Sequence, residues 1–304
     1  MSGTLLTLSI LVLIACGIYV FPVFKKPFAR LYIGVPEEIS GSLQAFRKQH
    51  PHRQLTVNGV VWNYISVGDG DETIVFLHGM GGGYDIWWQQ IEALQNRCRV
   101  IAPTYPPVPR LDLLRRGILA ILAHEHVDQF NIVGSSLGGY LAQYLVSKDS
   151  DRIKKAVFAN TFPPNDIIRE KSRVTAKLLP LLPEWMVMRN LRKTTLTAIY
   201  PASGNSKLVA AYMLEQSYGM MRKVQFVARF FCVLDSFAAP DLAGCGVEVL
   251  IIEADNDPLV ARPLRKMLKT TYPSVTVKTL SAAGHFPYLN QPEAYTNILE
   301  KFFF

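Results

Sequence analysis

The chain has 304 residues, of which 49% are hydrophobic; this argues against an intrinsically disordered protein and leaves room for one α/β domain with an insertion. The formal charge of +8 suits an anionic partner, but no basic run with interleaved aromatic residues is present, so the sequence favours anionic lipid over nucleic acid. The four cysteines are far apart and form no CxxC pair, so neither a disulfide framework nor a metal site is expected, and no cofactor is predicted.

The N-terminal segment is apolar. Residues 4–24 carry no charged side chain and are rich in Leu, Ile and Val, and a helix of this length crosses the hydrocarbon core of a bilayer. No basic residue precedes the run, whereas a cleaved signal peptide normally begins with one. We therefore predict an uncleaved transmembrane anchor at residues 1–26. Basic residues stay on the cytoplasmic side of a membrane, so the folded domain is expected in the cytoplasm, after Lys25, Lys26 and Arg30.

A second interpretation of the apolar segment remains open. Residues 13–16, Leu-Ile-Ala-Cys, resemble a bacterial lipobox, which would make Cys16 a lipidated N-terminus and place the folded domain outside the cytoplasm. The apolar run continues through Phe24, and this favours the anchor. Both interpretations attach the protein to a membrane.

The next segment, residues 27–54, is mixed and basic with prolines at 36 and 51, and we predict a juxtamembrane linker with some helix at 40–48. From residue 55 to the C-terminus, short apolar strands alternate with amphipathic helices, which predicts a largely parallel sheet covered on both faces. The predicted strands cover residues 56–67, 73–77, 99–102, 130–133, 155–159, 247–252 and 274–280. The predicted helices cover residues 84–94, 111–126, 137–147, 262–271 and 292–302.

Residues 163–240 interrupt this alternation with helical, proline-punctuated sequence, and we predict a helical lid there, with helices at 178–192 and 207–233. Within residues 165–230, eleven Lys or Arg stand against four Asp or Glu, so the insertion holds most of the positive charge. The charge indicates either a solvated helical face or a lid that lies against anionic headgroups. In the second case the apolar contacts would be Leu181, Leu182, Trp185 and Met186.

A glycine-flanked serine follows the predicted strand that ends at Val133. Residues 134–138 read Gly-Ser-Ser-Leu-Gly and lead into a helical run, which is a G-x-S-x-G pattern between a strand and a helix. A serine on such a tight turn is exposed at a helix N-terminus, whose dipole favours developing negative charge. The pattern therefore predicts Ser136 as a catalytic nucleophile.

A nucleophilic serine needs a base, and the base needs an acid that fixes its tautomer. His285 lies on the loop after the last predicted strand and is the best placed of the six histidines. In this type of site the chain order is serine, acid, histidine, and the turn after the strand at 247–252 supplies Asp257. Asp255 in the same turn is an alternative acid.

Two backbone amides are candidates for an oxyanion hole. The N–H that follows the nucleophile belongs to Leu137, and a His-Gly turn at residues 78–83 follows the strand at 73–77 and offers the N–H of Met80. Together with Ser136, His285 and an aspartate, these amides predict a hydrolase that attacks ester carbonyls.

These motifs resemble the α/β-hydrolase superfamily over residues 57–303. Residues 134–143 (GSSLGGYLAQ), 272–274 and 284–289 (GHFPYL) resemble the maspardin group more narrowly. The resemblance implies a mostly parallel eight-stranded sheet, a helical lid and a carboxylesterase- or lipase-like serine hydrolase that acts on a small-molecule or lipid ester. Maspardin-like proteins tend to lack a convincing base at the position of His285 and are often viewed as interaction proteins. The resemblance therefore also implies an alternative, a non-catalytic membrane-tethered binding or scaffold protein, although His285 favours activity; no protein partner is predicted.

Overall fold

An eight-stranded sheet lies at the centre of the structure, a computed structural model that describes the backbone of residues 2–304 and the side chains of residues 5–14 and 16–304. The strands follow one another across the sheet in the order β1-β2-β4-β3-β5-β6-β7-β8. They are β1 (Arg53–Val57), β2 (Val60–Val67), β3 (Thr73–Leu77), β4 (Arg99–Thr104), β5 (Phe130–Ser135), β6 (Ile153–Ala159), β7 (Glu248–Ala254) and β8 (Thr276–Leu280).

The sheet is mostly parallel. Only the pairs β1–β2 and β2–β4 are antiparallel, and the pairs from β4 through to β8 are parallel. Asn58 and Gly59 join β1 to β2 with φ of 50° and 79°, as a two-residue hairpin turn with positive φ at both positions requires. The prediction of a mostly parallel, eight-stranded sheet is therefore confirmed.

Helices cover both faces of the sheet, and successive side chains of a central strand point to opposite faces. Ile74 and Phe76 belong to one hydrophobic core, whereas Val75 and Leu77 belong to the other. The helices are α1 (Ser2–Tyr19), α2 (Phe28–Leu31), α3 (Glu37–Gln49), α4 (Trp88–Leu94), α5 (Leu111–His124), α6 (Leu137–Asp149), α7 (Asp166–Lys171), α8 (Arg173–Leu178), α9 (Glu184–Thr194), α10 (Tyr200–Ala202), α11 (Lys207–Glu215), α12 (Lys223–Leu234), α13 (Leu242–Cys245), α14 (Arg262–Thr271), α15 (Pro287–Asn290) and α16 (Pro292–Phe303).

The N-terminal helix is shorter than the predicted anchor. Helix α1 ends at Tyr19, whereas the apolar run continues to residue 24. Over residues 2–304, no helix is long and apolar enough to span a bilayer. The transmembrane helix predicted within residues 1–26 is therefore not found in the described part of the chain.

The segment predicted as a linker, residues 27–54, packs onto the domain instead. Helix α3 places Leu43 and Phe46, three positions apart, on one face, and both side chains are fully buried in the core. Strand β1 begins at Arg53, within the same segment. The prediction of a linker was wrong because the apolar residues of α3 are few and lie among charged neighbours, although their spacing is that of a buried helix face.

Helices α7 to α13 lie between β6 and β7, where the helical lid is predicted; we call residues 163–240 the insertion. The helix predicted at 207–233 is two helices, α11 and α12. A π-helical turn, Gln216–Met220, separates them, and Tyr218 and Gly219 leave the helical region of backbone angles. The break lets α11 and α12 contact different parts of the domain.

Candidate active site

Ser136 occupies the turn between β5 and α6. Its φ of 56° is unusual for a residue with a side chain and costs energy that the surrounding structure must offset. A Cβ on Gly134 would overlap the carbonyl oxygen of Gly138, and a Cβ on Gly138 would overlap the carbonyl oxygen of Leu77. The close approach of strand, turn and helix therefore requires glycine on both sides of Ser136.

His285 and Asp257 form a buried pair. The Nδ1 of His285 lies 2.9 Å and 2.8 Å from the two carboxylate oxygens of Asp257, and the exposed fractions of the two residues are 2% and 7%. Burial raises the pKa of Asp257, but the His285 charge and the hydrogen bonds from His285, Asn160 and the Val260 N–H outweigh it and lower that pKa below its usual value. The carboxylate is thus ionised at neutral pH and can hold Nδ1 protonated, which leaves Nε2 free to act as a base.

Two asparagines that sequence reasoning missed position this pair. Asn160, directly after β6, donates from Nδ2 to Asp257 Oδ2 at 2.9 Å, while the side-chain oxygen of Asn256 accepts the Gly284 N–H at 2.8 Å. Asn160 also has a positive φ of 42°. The sequence contains one signal for Asn160, a polar residue directly after an apolar strand. The carboxyl ends of neighbouring parallel strands lie at the same edge of the sheet, so such a residue is close to the site.

Asp255, the alternative acid, points elsewhere. Its carboxylate accepts hydrogen bonds from the Ser281 hydroxyl at 2.8 Å and the Ala282 N–H at 2.9 Å, and the residue is exposed. These contacts brace the turn before His285. The structure brings Asp257, and not Asp255, to the imidazole.

Ser136 and His285 line the same cavity, next to Met80. Among the described residues, no hydrogen bond joins the Ser136 hydroxyl to the His285 ring. Ser136 lies directly against the 78–83 loop, since a Cβ on Gly79 would come within 3.1 Å of the Ser136 Cβ. Among residues 2–304, neither the Met80 N–H nor the Leu137 N–H donates to an acceptor.

A neutral histidine holds the start of the 78–83 loop. His78 is fully buried; its Nδ1 lies 2.7 Å from the Gly79 carbonyl and its Nε2 accepts the Tyr105 N–H at 3.2 Å. Burial, with the nearby Arg229 charge, keeps the pKa of His78 well below its usual value. These partners fix the tautomer with the proton on Nδ1.

A buried arginine of α12 holds the same loop. Arg229 Nη1 donates to the carbonyls of Met80 at 2.8 Å and Gly82 at 2.9 Å, and Nη2 donates to that of Tyr105 at 3.1 Å. Burial lowers the pKa of Arg229 to about 10, which leaves it charged at neutral pH. The insertion is thereby tied to the loop that carries the Met80 amide, a contact that the sequence did not reveal.

The cavity that contains Ser136 and His285 has a volume of about 430 Å³. In the described part of the chain its lining contains no Lys, Arg, Asp or Glu. Most of its side chains are apolar and come from the loop after β6, from the insertion, from the turn after β7 and from α14; they include Phe162, Ile168, Leu191, Ile199, Met213, Phe226, Phe230, Val233, Leu259 and Leu264. A site of this kind favours an uncharged, apolar ligand group.

Residues 74–298 match the model of the alpha/beta hydrolase family. The chain belongs to this family, as its motifs indicated. The 3-oxoadipate enol-lactonase 2 of Acinetobacter baylyi is 23% identical over 267 residues, which cover 81% of this chain and 94% of that protein. The maspardin of Danio rerio is 24% identical over 261 residues, which cover 83% of this chain and 82% of that protein.

Solved structures agree with the fold. The crystal structure of a hydrolase from Pseudomonas aeruginosa PA01 has a TM-score of 0.72 at 20% identity, covering 83% of this chain and 98% of that one. The enol-lactonase from Burkholderia xenovorans LB400 has a TM-score of 0.68 at 19% identity, covering 82% and 99%. At these identities the similarity shows the α/β-hydrolase fold.

Proposed function

We propose that this chain is a serine hydrolase that cleaves carboxylic esters with apolar acyl groups. The observation that carries the proposal is the buried pair of His285 and Asp257 in one cavity with Ser136, whose backbone is held at the strained turn. The names of the enol-lactonases support ester chemistry, because a lactone is an internal ester. The absence of charged side chains from the described cavity lining supports an apolar acyl group.

The proposed reaction has two halves. His285 Nε2 takes the proton of Ser136 as its oxygen attacks the ester carbonyl, and the N–H groups of Met80 and Leu137 stabilise the negative oxygen of the tetrahedral intermediate. His285 then gives its proton to the leaving alcohol, and a water activated by the same ring releases the acid. Catalytic hydrogen bonds often form only when substrate is bound, and this accounts for a serine and a histidine that line one cavity without being joined.

The direct test is turnover of p-nitrophenyl butyrate together with labelling by a fluorophosphonate probe. Ser136→Ala should abolish labelling and lower kcat by about 10⁴-fold or more, because it removes the nucleophile. Ser274→Ala, an exposed serine outside the cavity, is the matched control and should behave as wild type. Wild-type-like turnover by Ser136→Ala would refute the proposal.

The similarity to maspardin favours a second candidate, a non-catalytic binding or scaffold protein. The two candidates differ in what Ser136 does. A folded protein that takes no fluorophosphonate label and shows no Ser136-dependent turnover across esters of two to twelve acyl carbons would support the scaffold. Labelling that Ser136→Ala removes would support the enzyme.

We also propose that α1 attaches the protein to a membrane. Large apolar side chains of α1 are exposed, among them Leu8 at 61% and Leu11 at 57%, and the basic residues that follow α1 support a cytoplasmic position of the folded domain. The variant Leu8→Asp/Leu11→Asp should move the protein from the salt-washed membrane fraction to the supernatant, since membrane binding of a helix scales with the apolar area that it buries and both changes remove such area. An unchanged distribution would contradict the attachment.

A further inference from the structure

A second, larger cavity adjoins the one that contains Ser136. It has a volume of about 1170 Å³ and lies between the insertion and the segment that follows α1. Asn190, Leu191 and Phe226 line both cavities, so the two spaces share one wall. A ligand that occupied both spaces would have to pass these three side chains.

The second cavity, which we call the basic groove, combines basic side chains with a mostly apolar lining. Five of its lining residues are cations and none is acidic: Lys26, Arg30, Arg189, Arg192 and Lys193. Across residues 2–304, none of these five forms an ion pair with a carboxylate, whereas Arg222 nearby pairs with Glu184 at 3.2 Å. Basic side chains without acidic partners around a concave space favour an anionic ligand.

Aromatic contacts organise part of the basic groove. The Tyr218 ring lies beneath the Lys26 ammonium, at 4.4 Å from its centroid, and beneath the Arg192 guanidinium, at 4.5 Å. Arg192 also donates to the Ser217 carbonyl at 2.9 Å. Lys26 and Arg192 come from segments distant in the chain, so the positive charge is gathered by the fold and is not a property of one helix.

We propose that the basic groove binds a phosphate group on the leaving side of an acyl ester or thioester, while the acyl chain occupies the apolar cavity. This inference rests on the proposed hydrolase function. A phosphate has several oxygens and a charge near −2, and it matches a set of Arg and Lys donors better than a neutral alcohol does. The apolar cavity, with no cation among its described lining residues, takes the uncharged acyl half.

The reaction balances as a hydrolysis. The Ser136 oxygen forms a bond to the acyl carbon, the bond from that carbon to the ester oxygen or thioester sulfur breaks, and His285 protonates the phosphate-bearing alcohol or thiol. One water then cleaves the acyl-enzyme to the carboxylic acid and restores Ser136. No oxidant, reductant or further reactant is needed.

The test compares matched esters on the full chain. One pair is 1-octanoylglycerol 3-phosphate and 1-octanoylglycerol; the other is S-octanoyl-4′-phosphopantetheine and S-octanoylpantetheine. Within each pair the acyl group and the reacting bond are the same and the phosphate is present or absent. Preference within the first pair indicates a lipid headgroup, and preference within the second indicates a soluble phosphate carrier. The phosphate ester should have the larger kcat/KM by about tenfold or more at low ionic strength, and the ratio should fall as salt is added.

The double variant Arg189→Gln/Lys193→Gln should reduce the ratio at least about threefold. The matched control Lys48→Gln/Lys278→Gln removes two exposed charges outside the groove and should keep the wild-type ratio. Equal fluorophosphonate labelling rates at Ser136 show that each variant is folded and competent.

Two results would overturn the inference. The first is a ratio near one in both pairs, and the second is a ratio that the groove variant leaves unchanged. If that unchanged variant also binds less to vesicles of anionic lipid, the groove faces a membrane surface and not a substrate. Failure of the proposed function looks different: Ser136→Ala would retain turnover of p-nitrophenyl butyrate, and both proposals would fall.

Discussion

Arg47 is the residue whose loss should destabilise the fold most clearly. It extends from α3 and joins two carboxylates, with its Nε at 2.7 Å from Asp85 and its two Nη atoms at 2.9 Å and 2.8 Å from Glu215. The side chains are 18%, 5% and 10% exposed respectively. Tyr212 and Tyr32 donate to the same carboxylates, at 2.7 Å and 2.8 Å. Five groups thus form one satisfied, largely buried network.

Arg47→Met should lower the free energy of unfolding by about 3–5 kcal/mol, because two buried carboxylates lose their cation and three charge-assisted hydrogen bonds. With an m-value near 3 kcal/mol per M for a chain of this size, the urea midpoint should fall by about 1–1.7 M. The measurement is urea unfolding followed by tryptophan fluorescence at pH 7.

Two controls separate charge burial from simple loss of packing. Arg169→Met removes an arginine that is 48% exposed and lies 3.6 Å from Asp166, so it should cost less than about 1 kcal/mol. Adding Asp85→Asn and Glu215→Gln to Arg47→Met should recover part of the loss, since the uncompensated charges are gone. A loss below about 1 kcal/mol for Arg47→Met, or no recovery in the triple variant, would refute the reasoning.

Three further predictions concern single side chains. The pKa of Asp257 is lowered in the folded protein, so its ionised carboxylate stabilises the fold above the pKa of the unfolded chain, about 4, and this contribution is lost as the pH falls further. The urea midpoints of wild type and Asp257→Asn should therefore converge below about pH 4. Midpoints that differ by the same amount at every pH would contradict this. Gly117→Ala places a Cβ inside the Trp62 ring and should cost about 1–3 kcal/mol or more in urea unfolding, whereas Gly41→Ala, with open space around it, should be tolerated. Arg229→Met leaves three carbonyls of the 78–83 and 105 region without their donor and should lower kcat for p-nitrophenyl butyrate about 10–100-fold with little change in KM; an unchanged kcat would count against it.

The central sheet could be read from the sequence because its buried strands are short apolar runs between turn residues. Strand β3 and helix α14 lie within the bounds predicted for them, and the other central elements differ by a few residues. The β1–β2 hairpin has a local signal in the sequence, because Asn58-Gly59 is a dipeptide typical of a two-residue turn with positive φ. By contrast, α3 has only two buried residues, so its hydrophobic pattern was too weak to reveal that it packs on the domain.

The candidate site was only partly predictable, for a similar reason. Motif and chain order identify Ser136 and His285. The tight turn requires glycines on both sides of Ser136, and His285 lies on the loop after the last predicted strand. The pairing of His285 with Asp257 and not Asp255 is decided by the direction of each side chain, which the sequence does not encode locally. Asn160 and Arg229 act across 97 and 149 positions of the chain, on Asp257 and Met80, and contacts of that range need the fold.

Residues 27–54 contact the insertion, which supplies much of the lining of the candidate site. Arg47 of α3 pairs with Glu215 in α11, and Arg30 of the same segment lines the basic groove together with Lys26, which precedes the segment, and three cations of α9. The N-terminal segment therefore contacts the insertion at two places, one buried and one solvent-exposed. Arg47 binds Glu215 of α11, and Arg229 of α12 binds the Met80 and Gly82 carbonyls, so the insertion contacts both the N-terminal segment and the 78–83 loop. Deleting residues 1–26 should spare the ion pair of Arg47 with Glu215. Deleting residues 1–54 should abolish it, since only the second deletion removes Arg47.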